Sequence, residues 1–150
     1  MAEPVLEIDN LSVRFNLKRG VLRAVDGVSF SIGKGETFGL VGESGSGKTV
    51  TARSIMRLVQ SPPGEIASGT VRFEGRDIYQ MSDAEIREIR GQHIAMIFQE
   101  PMTALNPVFT VGSQIGDALR TNMGLNKAEA RERTIEMLQL VGIPSPAARI

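Results

Sequence analysis

Apolar and polar positions change their period several times along the chain, and each change predicts an element. Leu6 and Ile8, then Leu11, Val13, Phe15 and Leu17, alternate with polar residues, and residues 21–32 repeat a looser alternation after the Lys18-Arg19-Gly20 turn. Period-two patterning of this kind predicts paired, half-buried strands. Past a second turn at Gly33-Lys34-Gly35, residues 37–41 are nearly unbroken apolar, which predicts a strand covered on both faces, as in a parallel sheet. From Lys48 the period lengthens. Ala52, Ile55, Met56 and Val59 share one helical face while Arg53 and Arg57 lie off it, until Pro62-Pro63 stops the helix.

Residues 70–73 predict another strand, closing in the Glu74-Gly75 turn. Ser82 with Glu85 predicts a capping box opening a short helix to Arg90, and residues 93–99 a second buried strand. Beyond it, Val111, Ile115, Ala118 and Leu119 mark one amphipathic helix. Asn126 with Glu129 caps another, with Ile135, Leu138 and Val141 as its apolar face and Gly142 at its end. Gln99 to Pro107 is the most irregular stretch, and no internal repeat interrupts the order. Antiparallel strands, then strand-loop-helix, another buried strand and late helices predict an α/β fold.

The bulk properties narrow the partners. At 150 residues the chain suits one domain with a real core. Lys plus Arg and Asp plus Glu both number 17, so no net field draws the molecule to nucleic acid or an anionic membrane, and no nucleic-acid partner is expected. The absence of cysteine fits a reducing compartment. The first ten residues carry Glu3, Glu7 and Asp9 and lack the cationic start of a secretion signal. No apolar run approaches the ~18–20 residues that cross a bilayer, so work at a membrane implies docking on another protein.

The sharpest chemistry is Gly42-Glu43-Ser44-Gly45-Ser46-Gly47-Lys48-Thr49, which has the spacing of a phosphate-binding loop. Gly42, Gly45 and Gly47 permit backbone angles barred to other residues, so successive amide N–H groups can turn inward around a polyphosphate. The following helix adds its positive end. Lys48 supplies a point charge to the outer phosphates, and the Thr49 hydroxyl is a hard oxygen ligand suited to Mg²⁺. A plain glycine-serine turn needs no strand before it and no amphipathic helix after it; both are predicted here.

Phosphate loops occur in many classes, and the residues after this one narrow the choice. Ile97-Phe98-Gln99-Glu100-Pro101-Met102-Thr103-Ala104-Leu105-Asn106-Pro107 closely resembles the Q-loop region of ATP-binding subunits of bacterial di- and oligopeptide importers, a group that includes nickel importers. Ala24-Val25-Asp26-Gly27-Val28-Ser29-Phe30 and Leu40 to Lys48 resemble the same family. The likeness runs on to Leu140-Val141-Gly142-Ile143-Pro144.

The resemblance implies a P-loop NTPase fold: a RecA-like core with an antiparallel β subdomain and the start of a helical subdomain, together an incomplete ABC nucleotide-binding domain. Residues 1–99 are the expected β subdomain and P-loop core, and residues 100–150 the Q-loop and the first part of the helical subdomain. ATP and Mg²⁺ are the expected ligands. Gly42, Glu43, Ser44, Gly45, Ser46, Gly47, Lys48, Thr49 and Val50 are expected to hold the nucleotide, Lys48 and Gln99 to act in catalysis, and Thr49 and Gln99 to hold the metal. Ligands gather beyond the carboxyl ends of strands in α/β sheets, and both the loop and Gln99 follow such ends; a strand-end glutamine pointing into solvent is the alternative. Phe15 corresponds to the aromatic that stacks on adenine, although its alternation with Leu11 and Val13 fits a core position equally. His93 reads as structural, and the face bearing Arg131 and Arg133 with Glu129, Glu132 and Glu136 as solvated.

By the same resemblance the partners are two integral membrane permease subunits, an extracytoplasmic solute-binding protein and a second ATP-binding subunit, with the protein peripheral on the cytoplasmic face of the bacterial inner membrane. Residues 101–107 are the expected hinge. The family pattern continues with a Ser-Gly-Gly signature, an apolar strand ending in Asp-Glu and a switch histidine. None of these occurs in the 150 residues, so the chain is expected to stop before the signature and, alone, to turn over little ATP. Two rival readings remain: a soluble, non-transport ABC ATPase, and a nucleotide-binding module without turnover.

Overall fold

A computed structural model describes residues 4–99 and 104–150. They form two compact units, Met1–Arg87 and Glu88–Ile150.

In the first unit, β1 (Leu6–Leu17) and β2 (Gly20–Ile32) form the predicted hairpin, and β3 (Gly64–Phe73) and β4 (Arg76–Asp77) complete an antiparallel sheet of order β2-β1-β3-β4. The sequence skips one beat between Ile8 and Leu11, and a bulge accounts for it. The register shifts there against both neighbours, with Asn10 at φ 48°. One extra residue restores the alternation, so that Leu6, Ile8, Leu11 and Val13 are all buried. Val25, Val71, Phe73, Ile78 and Met81 are buried with them.

Between the hairpin and β3 lies α1 (Lys48–Ile55), shorter than the apolar spacing predicts. It stops before Arg57, which takes a left-handed conformation, φ 51°. After β4, α2 (Asp83–Glu88) opens on the predicted capping box: the Ser82 N–H and hydroxyl donate to Glu85 at 2.8 Å each, and the Glu85 N–H donates back to the Ser82 hydroxyl. Those bonds, chiefly the backbone one, hold the Glu85 carboxyl below its usual range.

In the second unit a π-helical turn, Ile89–His93, stands where the end of the predicted helix to Arg90 was expected. The helices α3 (Val111–Met123) and α4 (Lys127–Leu140) follow. Thr110 caps α3 by accepting from the Ser113 N–H, and Asn126 with Glu129 forms the predicted box on α4. The α4 face is rotated from the expected one: Ala130, Thr134 and Leu138 are buried, while Val141 is exposed. The i, i+4, i+8 spacing of that trio is as helical as the predicted one.

Two expectations fail. Residues 37–41 and 93–99 join no ladder, and Val41 and Ile97 are 90% and 94% exposed. A strand apolar on both faces needs neighbours on either side and layers above and below; among the described residues neither segment meets a partner strand. Phe38 stacks on Phe30 with ring centroids 4.7 Å apart.

Candidate functional site

The glycine loop adopts the shape its chemistry requires. Gly45 and Gly47 take φ of 82° and 92°, and Gly47 directly caps α1. A Cβ on Gly47 would lie 2.3 Å from the Ala24 carbonyl oxygen, so only glycine lets this turn rest on β2. The first turn of α1 carries no acidic residue, and Arg53 sits in its last. Its positive end therefore faces the loop with no carboxylate in its own first turn.

Lys48 closes the loop on itself. Its ammonium donates to the Gly42 and Glu43 carbonyl oxygens at 2.7 Å each and to the Ser46 hydroxyl at 3.3 Å. A single cation thus pins both ends of the turn. Thr51 and Ser54, next along the helix, bond back to the Gly47 and Val50 carbonyls at 3.1 and 2.8 Å. Thr49 instead is exposed.

A hollow of about 260 Å³ opens between residues 45–50 and the hairpin, where Phe15, Leu22, Arg23 and Ala24 line it. Phe15 is half-buried and stands opposite Leu22 in the β1–β2 register. One concavity therefore combines an aromatic wall, a cation, a hydroxyl and glycine amides. Leu22, Arg23 and Ala24 had no motif to reveal them; the turn proper is the two residues Lys18-Arg19, and pairing the strands outward from it, Leu17 with Gly20, brings Leu22 opposite Phe15. Gly42 and Glu43 contribute carbonyls to Lys48 rather than walls to the hollow, and Ser44 does not line it. Another hollow of about 290 Å³, between α3 and α4, contains no such loop.

Gln99 is exposed and belongs to the second unit. Glu100 and the first three residues of the expected hinge, Pro101, Met102 and Thr103, lie outside the described residues. Further on, Gln114 holds Asn106 and Phe109: its amide donates to both carbonyls and accepts from the Asn106 N–H, each at 3.0–3.1 Å. His93 closes the π-helical turn. Among the described residues no group of His, Cys, Asp and Glu forms a metal site, and no helix is long and apolar enough to cross a membrane.

The sequence pattern of the ABC transporter family matches residues 25–150, most of the chain, including the loop, Lys48 and Gln99. The chain belongs to the ABC transporter family. It is 49% identical over 148 residues to the dipeptide transport ATP-binding protein DppD of Bacillus subtilis, covering 99% of this chain and 44% of that one. To the oligopeptide transport ATP-binding protein OppD of the same bacterium it is 45% identical, covering 97% and 41%. The Escherichia coli DppD is 46% identical, covering 97% and 44%. The chain thus spans less than half the length of these relatives. The dimeric post-hydrolysis structure of the ATP-binding cassette MJ0796 bound to ADP and Pi superposes with a TM-score of 0.80 at 23% identity, covering 96% of this chain and 60% of that one. That likeness assigns an ABC cassette fold.

Proposed function

We propose that this ABC family protein is the ATP-binding, energy-coupling subunit of an importer of dipeptides or oligopeptides. The observation that carries the proposal is the joining of Lys48, the positive-φ glycines and Phe15 around one hollow. Names of close relatives supply the solute class: transport of dipeptides or oligopeptides.

The donor set fits a magnesium triphosphate. Amides from residues 45–49 suit the phosphate oxygens, and Lys48 can give up a carbonyl of its own loop for the outer phosphates. The Thr49 hydroxyl would hold Mg²⁺, and a role for Gln99 as a second ligand rests on the family resemblance alone. Bound there, Mg²⁺ would neutralise charge on the phosphates. Phe15 offers a flat apolar face to the adenine. Residues 1–99 are assigned to the β subdomain and phosphate core, and residues 100–150 to the Q-loop and helical part that meets the permeases.

The partners in this reading are two membrane permease subunits, a solute-binding protein and a second ATP-binding subunit. The protein sits peripherally on the cytoplasmic face of the bacterial inner membrane. Turnover requires a general base and donors from the second subunit, which the 150 residues do not carry as a recognisable motif; alone they bind nucleotide with little hydrolysis.

Reconstitution of the whole transporter in proteoliposomes is the test. Labelled dipeptide should accumulate only when ATP is supplied on the side of the ATP-binding subunits. Accumulation without ATP, or recovery of the protein with nucleic acid in place of permeases, contradicts the assignment.

A further inference from the structure

The far end of the phosphate helix is gripped by two side chains that the nucleotide reading does not use. α1 has eight residues, and a helix that short has little stability of its own. Its direction therefore depends on what holds its last turn. The Tyr79 hydroxyl, from just beyond β4, donates to the Ser54 carbonyl at 2.9 Å, an oxygen that also accepts from the Arg57 N–H at 3.0 Å. Arg57 donates through its guanidinium to the Met81 carbonyl at 2.8 Å and to Asp83 at 3.0 Å.

Arg57 does this from a left-handed backbone conformation, φ 51°, that side chains with a Cβ disfavour. The Arg57 and Leu58 N–H groups close a Schellman cap on the Ser54 and Arg53 carbonyls at 3.0 and 2.8 Å, a place where glycine would sit without strain, and the guanidinium is what this position gains over glycine. The anchoring segment is itself firm, since Ile78 and Met81 on either side of Tyr79 are buried. Burial also pushes the Tyr79 phenol up to about 12, so its hydroxyl keeps its proton at any ordinary pH.

We propose that Tyr79 and Arg57 are positioning residues for the phosphate site: by tying the last turn of α1 to the segment from Tyr79 to Asp83, they aim the helix start, and with it the loop amides and the Thr49 hydroxyl, at the triphosphate. This rests on the nucleotide reading above. Neither residue touches the nucleotide; each acts through the helix.

Tyr79→Phe removes only the hydroxyl, and Arg57→Gly removes the guanidinium while suiting the left-handed backbone. Titration calorimetry with Mg·ATP and with Mg·tripolyphosphate, which has phosphates and no base, reads the effect at a temperature where circular dichroism shows each variant folded. One neutral hydrogen bond is worth about a 3- to 10-fold change, so Tyr79→Phe should weaken both ligands by the same factor of that order, and Arg57→Gly, which removes charge-assisted bonds, should weaken both equally and by at least as much. A lowered Tm with unchanged affinities marks a merely structural role and overturns the proposal, as does a loss confined to ATP. Wild-type binding that ignores Lys48→Ala would remove the nucleotide reading and the brace with it. Lys48-dependent binding indifferent to Tyr79→Phe and Arg57→Gly overturns the brace alone.

Discussion

Replacing Lys48 with alanine is expected to weaken Mg·ATP binding by about 10- to 100-fold, the loss of one charged hydrogen-bonding partner worth ~1.5–3 kcal/mol. Two effects add in the same direction. The ammonium is the positive side chain of the loop that would meet the outer phosphates, and it is also the clamp that holds the Gly42 and Glu43 carbonyls 2.7 Å from its nitrogen. Without it the two carbonyls lose their donor and repel an approaching phosphate. The loop is exposed over most of its length, so water takes over those carbonyls and the fold itself should lose little stability. Calorimetric titration beside a thermal melt separates the two consequences. Equal ATP affinity in the variant and the wild type would show that the cation only shapes the turn.

The second large effect is expected at Gly47. An alanine there adds a Cβ 2.3 Å from the Ala24 carbonyl oxygen, a backbone atom that cannot swing aside. The φ of 92° adds left-handed strain of ~1–2 kcal/mol, and overpacking of this kind adds ~1–3 kcal/mol. Gly47→Ala should therefore displace the start of α1 from β2, lowering the melting temperature and abolishing measurable nucleotide binding together. Gly45→Ala is the comparison, because its φ of 82° is strained but no atom lies within 4 Å of the added Cβ. It should cost only the strain. If the two variants melt and bind alike, the contact between the loop and β2 has no role in the site.

The features legible in the sequence were those whose physics is local. Alternation located the hairpin, and even the missing beat between Ile8 and Leu11 recorded the bulge at Asn10. Both capping boxes form because Ser82 with Glu85 and Asn126 with Glu129 meet across a single helical turn. The loop was legible because its glycines, lysine and hydroxyl have few other uses at that spacing. The site's other wall was not, since Leu22 and Ala24 join Phe15 only through strand pairing, which no short motif encodes. Residues 37–41 and 93–99 misled for a related reason. An apolar run records what a segment is suited to bury, whereas its neighbours come from elsewhere, and among the described residues none pairs with it. The early end of α1 was hidden too, because the apolar spacing runs on to Val59 while Arg57 turns left-handed in a cap whose Leu58 N–H returns to the Arg53 carbonyl.

The most direct measurement is an amide-resolved NMR titration of the protein with Mg·ATP. If main-chain donors of this loop enclose the triphosphate, the amide signals of Gly45, Ser46, Gly47, Lys48 and Thr49 should move furthest and saturate together, and Lys48→Ala should largely suppress the movement. Saturable shifts elsewhere with these five amides unmoved, or identical shifts in Lys48→Ala, would contradict the account.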